Sequence, residues 1–248
     1  MTLSPADPLA VRLTAAVHSG ALDELARLLE ERPELADARI AGRRGGWRTP
    51  LHLVTDWPGY FPNGPAVVRL LIEAGADPSA PSDDGPSETP LHWAASSDDA
   101  EVAAALIDGG ADIEASGGSI AGSTPLANAV GYGCWHVARL LVASGARVHS
   151  LWQAAALGMQ ERALEFLDAD PPPTQRELDD AFWQACHGGQ LRSAELLLAR
   201  GANIRATPDY SEQTALEIAG STDTRREQLV TWLRERGATS PEGPASET

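Results

Sequence analysis

The tetrapeptide Thr-Pro-Leu-His stands at residues 49–52 and again at 89–92. Thr-Pro-Leu-Ala follows at 124–127 and Thr-Ala-Leu-Glu at 214–217. Each opens a stretch of small residues. The first three lead into Leu-rich segments that close on Gly, LLIEAGADP (70–78), ALIDGGADI (105–113) and LLVASGARV (140–148), and a fourth such segment, LLLARGANI (196–204), follows FWQACHGG. No other feature constrains the fold as strongly. A unit this short cannot bury its apolar face alone, so its copies must stack on one another.

Taking the Leu of each tetrapeptide as position zero aligns Leu51, Leu91, Leu126 and Leu216. Leu151, in LWQAAALG, and Phe182, in FWQACHGG, fit as degenerate copies, and Leu13, in LTAAVHSG, fits as a cap. Positions 0, 3, 4 and 7 share a helical face. They hold Leu91, Ala94 and Ala95 in one copy, and Leu126, Ala129 and Val130 in the next. Small residues there allow close stacking, and the Leu rows of the second helices supply the core.

The pattern resembles the ankyrin repeat, a β-turn and two antiparallel helices in about 33 residues. The resemblance implies an all-α ankyrin-repeat solenoid of about seven helix pairs, with β-turn or hairpin loops. It covers a single domain over 1–238, with an N-terminal cap at about 5–40 and repeats from about 49, 89, 124, 150, 174 and 214. The small, polar segment 239–248 is expected to be a disordered tail.

Departures from the pattern are informative. Leu51 and Gly75 lie 24 positions apart, against 19 for Leu91 and Gly110, so DWPGYFPNGP (56–65) carries an insertion. The copy at 150 lacks the tetrapeptide and ends in LDADPPPT without Gly-Ala. Thr174 and Glu177 are spaced as a capping box, which predicts a longer first helix in that copy.

In a repeat array, recognition falls on the exposed side of the first helices and on the loops. Positions 2, 5 and 6 are predicted to line that side. They bring Trp93, Asn128, Gln153 and Gln184 (position 2), Asp56, Ser96 and His187 (position 5), and Trp57 and Tyr132 (position 6) to one surface. Aromatic rings interleaved with hydrogen-bonding groups suit interfaces and pockets alike. Tyr60 of the insertion joins them as a ridge or lid. The loop ARIAGRRGGWRT (38–49) adds Arg44 and Trp47, a basic aromatic patch that either clamps an anion or neutralises the acidic loop holding Asp83, Asp84 and Glu88. His52 and His92 are assigned to structure, tying turns together as the resemblance implies. Trp152 and Trp183 replace them in the degenerate copies as space fillers.

Charge narrows the partners. A formal net charge of −16 repels nucleic acid and anionic membrane, so neither is expected. The cationic residues are all Arg, a bias read as the composition of a GC-rich bacterial genome. Cys134 and Cys186 make no disulfide framework. The N-terminus shows no secretory pattern, and no apolar stretch reaches membrane-spanning length. A cytoplasmic location is expected.

Catalysis is weakly supported. Cys186 and His187 are adjacent and diverge by about 100° on a helix. The Cys134/His136 and Cys186/His187 groupings lack zinc spacing. SGGSIAGST (116–124) lacks the Lys of a phosphate loop. Asp98 reads as a helix cap with Glu101 at the third helical position. The leading expectation is therefore a scaffold that binds a partner protein through its concave helices and loops, without metal or cofactor. The alternative is a small-molecule-binding protein or unusual enzyme with an aromatic pocket, in which Asp56, Tyr132 and His187 would do the chemistry.

Overall fold

The alternation of small and Leu-rich segments folds as pairs of short helices. The computed structural model describes residues 1–42, 45–83, 85–220 and 227–239. The proposed tail lies outside these from residue 240 onward. The chain divides into two units, Met1–Arg147 and Val148–Thr248.

The first unit opens with β1 (Thr2–Leu3), α1 (Pro8–Ser19) and α2 (Leu22–Glu31). β2 (Arg39–Ala41) and β3 (Trp47–Arg48) then pair as an antiparallel hairpin, and β1 adds to β2 in parallel. Three helix pairs follow: α3 (Pro50–Val54) with α4 (Gly64–Glu73), α5 (Pro90–Ser97) with α6 (Ala100–Asp108), and α7 (Pro125–Gly131) with α8 (Trp135–Ala143). The second unit holds α9 (Leu151–Ala156) with α10 (Gln160–Leu167), α11 (Gln175–His187) with α12 (Leu191–Ala199), and α13 (Ala215–Ala219) with α14 (Glu227–Glu235). Among the described residues the seven expected pairs are present. β1 is an addition the sequence pattern did not suggest.

Threonine precedes five of the seven first helices among the described residues. Thr49, Thr89 and Thr124 sit in extended backbone immediately before α3, α5 and α7, each with Pro at the first helical turn. Pro fits there because its missing N–H would have no intrahelical partner. The histidines complete the caps: Thr49 N–H donates to His52 Nδ1 (3.2 Å), and Thr89 N–H to His92 Nδ1 (3.1 Å). The far side of each ring reaches the following repeat, with Nε2 3.0 Å from Glu88 O for His52 and 3.0 Å from Ser123 O for His92. Both acceptors immediately precede the next cap threonine.

The second unit divides this work between two residues. Glu177 and Glu217 close capping boxes with Thr174 and Thr214. Trp183, at the histidine's position, donates its indole N–H to Gln213 O (2.8 Å), again the residue before a cap threonine. Trp183 is therefore a bridging donor and more than a space filler. The predicted lengthening of α11 is present, at 13 residues against 8 in α5.

The Gly-Ala signatures end the second helices. Gly75 and Gly201 take positive φ (103° and 98°), and the following Ala76 and Ala202 donate back to Leu71 O and Leu197 O (3.0 Å each). This closes the last turn and turns the alanine inward.

Trp183→Phe removes the bridge, orphans the carbonyl of Gln213 and leaves a smaller ring in a buried site. It should destabilise the protein by about 1 kcal/mol or more in urea unfolding. A pH dependence is also expected. Burial holds His92 below its usual 6.5, against the opposing pull of its bond to Ser123 and of nearby carboxylates. The unfolded chain therefore takes up the proton first as pH falls through 6.5, and stability should decline below that value. Midpoints measured from about pH 7.5 to about pH 5.5 should fall more steeply for wild type than for His92→Gln.

Candidate functional site

The insertion is stapled to the turns on either side of it. Phe61 stacks on His18 (4.3 Å between centroids, planes 6° apart), and Asn63 Nδ2 donates to Gly20 O (2.9 Å). On the other side Tyr60 N–H donates to Asp99 Oδ2 (2.8 Å), and its hydroxyl donates to Asp98 O (2.7 Å). Desolvation, then the charges of Asp98 and Asp99, push the Tyr60 phenol up, which keeps it a donor at neutral pH. Tyr60 is thus an anchor for the loop and does not line the cavity described next. The segment expected as a ridge or lid is a strap bonded on both sides.

Trp57 is the ring the strap leaves free, at 84% exposure. It borders a cavity of about 300 Å³ with Trp93 and Tyr132. Trp93 packs edge-on against the bridging ring of His52 (4.9 Å). Tyr132 is 53% exposed, with its hydroxyl 3.1 Å from Ser119 Oγ. Asp56, Glu88 and Ser96 line the same space.

The polar floor is already bonded. Glu88 Oε1 accepts from Asn128 Nδ2 (2.6 Å) and from the backbone N–H of Ser119 (2.9 Å). Asn128 Nδ2 also donates to Ser96 Oγ (3.2 Å), and its Oδ1 accepts from Ile120 N–H (3.2 Å). Asp56 Oδ2 pairs with Arg48 Nη1 at 3.0 Å. Of the sequence-predicted residues, Asp56, Trp57, Trp93, Ser96, Asn128 and Tyr132 therefore meet in the first unit. Glu88 and Ser119 were not among them. Glu88 reads in sequence as one charge of an acidic loop, and Ser119 as part of a Gly-rich one.

Position 2 is not an exposed row. Asn128 is fully buried beneath the cavity. Gln153, 1% exposed, accepts the His149 N–H (2.8 Å), and Gln184, 3% exposed, donates to Tyr210 OH (3.3 Å) and faces His187 Nδ1 (3.3 Å). These side chains tie down the chain around them. His187 and Tyr210 flank Trp183 (5.4 and 5.9 Å), forming a separate aromatic cluster in the second unit. Trp47 of the hairpin carries Arg39 over its ring (4.3 Å) and accepts the Asp83 N–H on its carbonyl (2.9 Å). Arg44 lies outside the described residues. Beside that hairpin and α1 is a wider hollow of about 870 Å³, lined largely by small side chains and backbone.

Other chemistry finds little footing. Burial pushes the Cys134 thiol up to about 12, and that of Cys186 higher still, so neither is a ready thiolate. His136 pairs with Asp98 (2.7 Å). Asp98 is not the cap of α6: it adopts positive φ (57°), and Asp99 caps Val102 N–H (3.2 Å). Asp98 instead reaches the next repeat, accepting from Val137 N–H (2.9 Å). In the Gly-rich loop, the amides of Gly117, Gly118 and Gly122 bond within the loop, and those of Ser119 and Ile120 go to Glu88 and Asn128. They are not turned toward a phosphate. Among the described residues no group of three His, Cys, Asp or Glu side chains is placed to hold a metal. Among them, too, no helix is long and apolar enough to cross a membrane.

Residues 60–150 match the family model described as ankyrin repeats (3 copies). The human ASB11 ankyrin repeat domain is similar in structure, with 20% identity, a TM-score of 0.52, and coverage of 94% of this chain and 98% of that one. The ankyrin repeat domain of Bcl-3, a member of the IkappaB protein family, shows 26% identity and a TM-score of 0.51, covering 90% of this chain and 97% of its own. No curated protein matches the sequence. The fold is that of the ankyrin repeat.

Replacing Tyr60 by Phe removes the bond to Asp98 O and leaves the ring. Global stability should change by less than about 1 kcal/mol, because the group is largely exposed. Amide exchange at Gly59 and Tyr60 should quicken relative to α5, measured by hydrogen exchange.

Proposed function

We propose that this chain, whose ankyrin repeats belong to a common class of protein-interaction scaffold, binds a partner protein through the aromatic face of its first unit. One observation carries the reading: Trp57 stands 84% exposed at the rim of a polar-floored cavity that Trp93 and Tyr132 share. A large ring left exposed beside an anchored strap is the kind of side chain that anchors interfaces. Trp57 and Tyr132 belong to different repeats, so a partner touching both would lie across the array.

The small-molecule alternative rests on the same cavity. Its volume of about 300 Å³ is at the lower end for ligand pockets. The exposure of Trp57 favours a larger occupant that covers the rim. The two buried free cysteines suit a reducing compartment, in keeping with a cytoplasmic location.

The test compares proteins retained from the native cell's lysate by wild type and by Trp57→Ala. Trp57 is too exposed for its loss to unfold the chain. A partner recovered by wild type should drop by about tenfold or more with the variant. Equal recovery of every retained protein would overturn the reading.

A further inference from the structure

We infer that the cavity of the first unit receives a cationic side chain of the partner, the guanidinium of an arginine or the ammonium of a lysine. This rests on the protein-binding reading above and adds the chemistry of the contact. Three aromatic residues, Trp57, Trp93 and Tyr132, line the cavity, and ring faces attract cations through their quadrupoles. Two carboxylates, Asp56 and Glu88, line it as well, while none of its lining residues is Arg or His.

The two carboxylates are not equivalent. Asp56 is matched by Arg48 at 3.0 Å. Glu88 bonds only neutral donors, the Asn128 amide and the Ser119 N–H, both on Oε1. Its charge therefore has no cationic counterpart among the described residues, and Oε2 has no hydrogen-bond partner among them. An incoming cation would supply both a counter-charge and a charge-assisted hydrogen bond. The net charge of −16 favours the approach of a basic segment and repels an anionic one. A neutral occupant would satisfy the rings and leave Glu88 uncompensated.

The test is a titration of the full chain, labelled with nitrogen-15, with N-acetyl-arginine amide. N-acetyl-citrulline amide, of the same shape without the charge, is the control, and N-acetyl-lysine amide is run in parallel. The Trp57 indole N–H signal, identified by its loss in Trp57→Phe, should move saturably with a cationic probe and not with citrulline. Glu88→Gln keeps an oxygen for Asn128 and Ser119, and should weaken binding by about fivefold or more. Asp108→Asn changes net charge equally at an exposed site outside the cavity, and should leave binding unchanged.

Equal shifts with the arginine and citrulline probes would overturn the assignment. So would equal weakening by Glu88→Gln and Asp108→Asn. The two readings fail separately. Lysate capture that depends on Trp57 but not on Glu88 keeps the interface and removes the cation. Probe binding that depends on Glu88, with capture indifferent to Trp57, keeps the cation site and removes the protein interface.

Discussion

A hydrogen bond from a buried ring nitrogen to the carbonyl just before the next repeat's cap threonine holds the turns in place. His52 makes it to Glu88, His92 to Ser123 and Trp183 to Gln213. A short turn has few other ways to be fixed, because its backbone makes no long ladder. The bond also sets up the cavity. It pins the backbone of Glu88, and the side chain of that residue then meets Asn128 from the following repeat. Trp93 lies edge-on against the same His52 ring. The residues that stabilise the repeats thus place the residues proposed to recognise a partner.

The histidine does two things at once, because imidazole has nitrogens on two sides. Nδ1 completes the cap and Nε2 makes the bridge. No other side chain at that position is placed to do both here. Where Glu217 stands there, it caps but does not bridge, and where Trp183 stands there, it bridges while Glu177 closes the cap of the same helix. Ala127 can do neither, and Thr124 Oγ1 is left buried without a partner.

This explains what was legible in the sequence. The helix pairs opened by Thr49, Thr89 and Thr124 were, because each has a local cause: threonine and proline at the start, and a glycine in the left-handed region at the end. The bridging role of Trp183 was not, because its acceptor lies 30 residues downstream and a large apolar ring reads as filler. The cap at Asp98 was misplaced by one residue, since Asp98 and Asp99 offer the same chemistry and only the positive φ of Asp98 separates them. At the site, position counting gathered Trp93 and Ser96, which share a face of α5, and Asp56, Trp57 and Tyr132, which follow the ends of α3 and α7. It misjudged Gln153 and Gln184, because the helical wheel does not register a loop folding over that face. It missed Glu88 and Ser119, which arrive by loops whose path no periodicity encodes.

The cavity floor is preorganised before any partner arrives. Asn128 is buried and bonded at both ends of its amide, so Glu88 is held by a side chain that has no freedom left to lose. The strap that follows Trp57 is bonded on both sides through Tyr60 and Asn63. Binding a rigid acceptor costs little conformational entropy, which would favour this surface over an exposed patch of equal area. As a recognition site, the arrangement would also discriminate by charge. An anion would face the carboxylates of Asp56 and Glu88, which line the cavity together. Selectivity would then come as much from what the floor rejects as from what the rings attract.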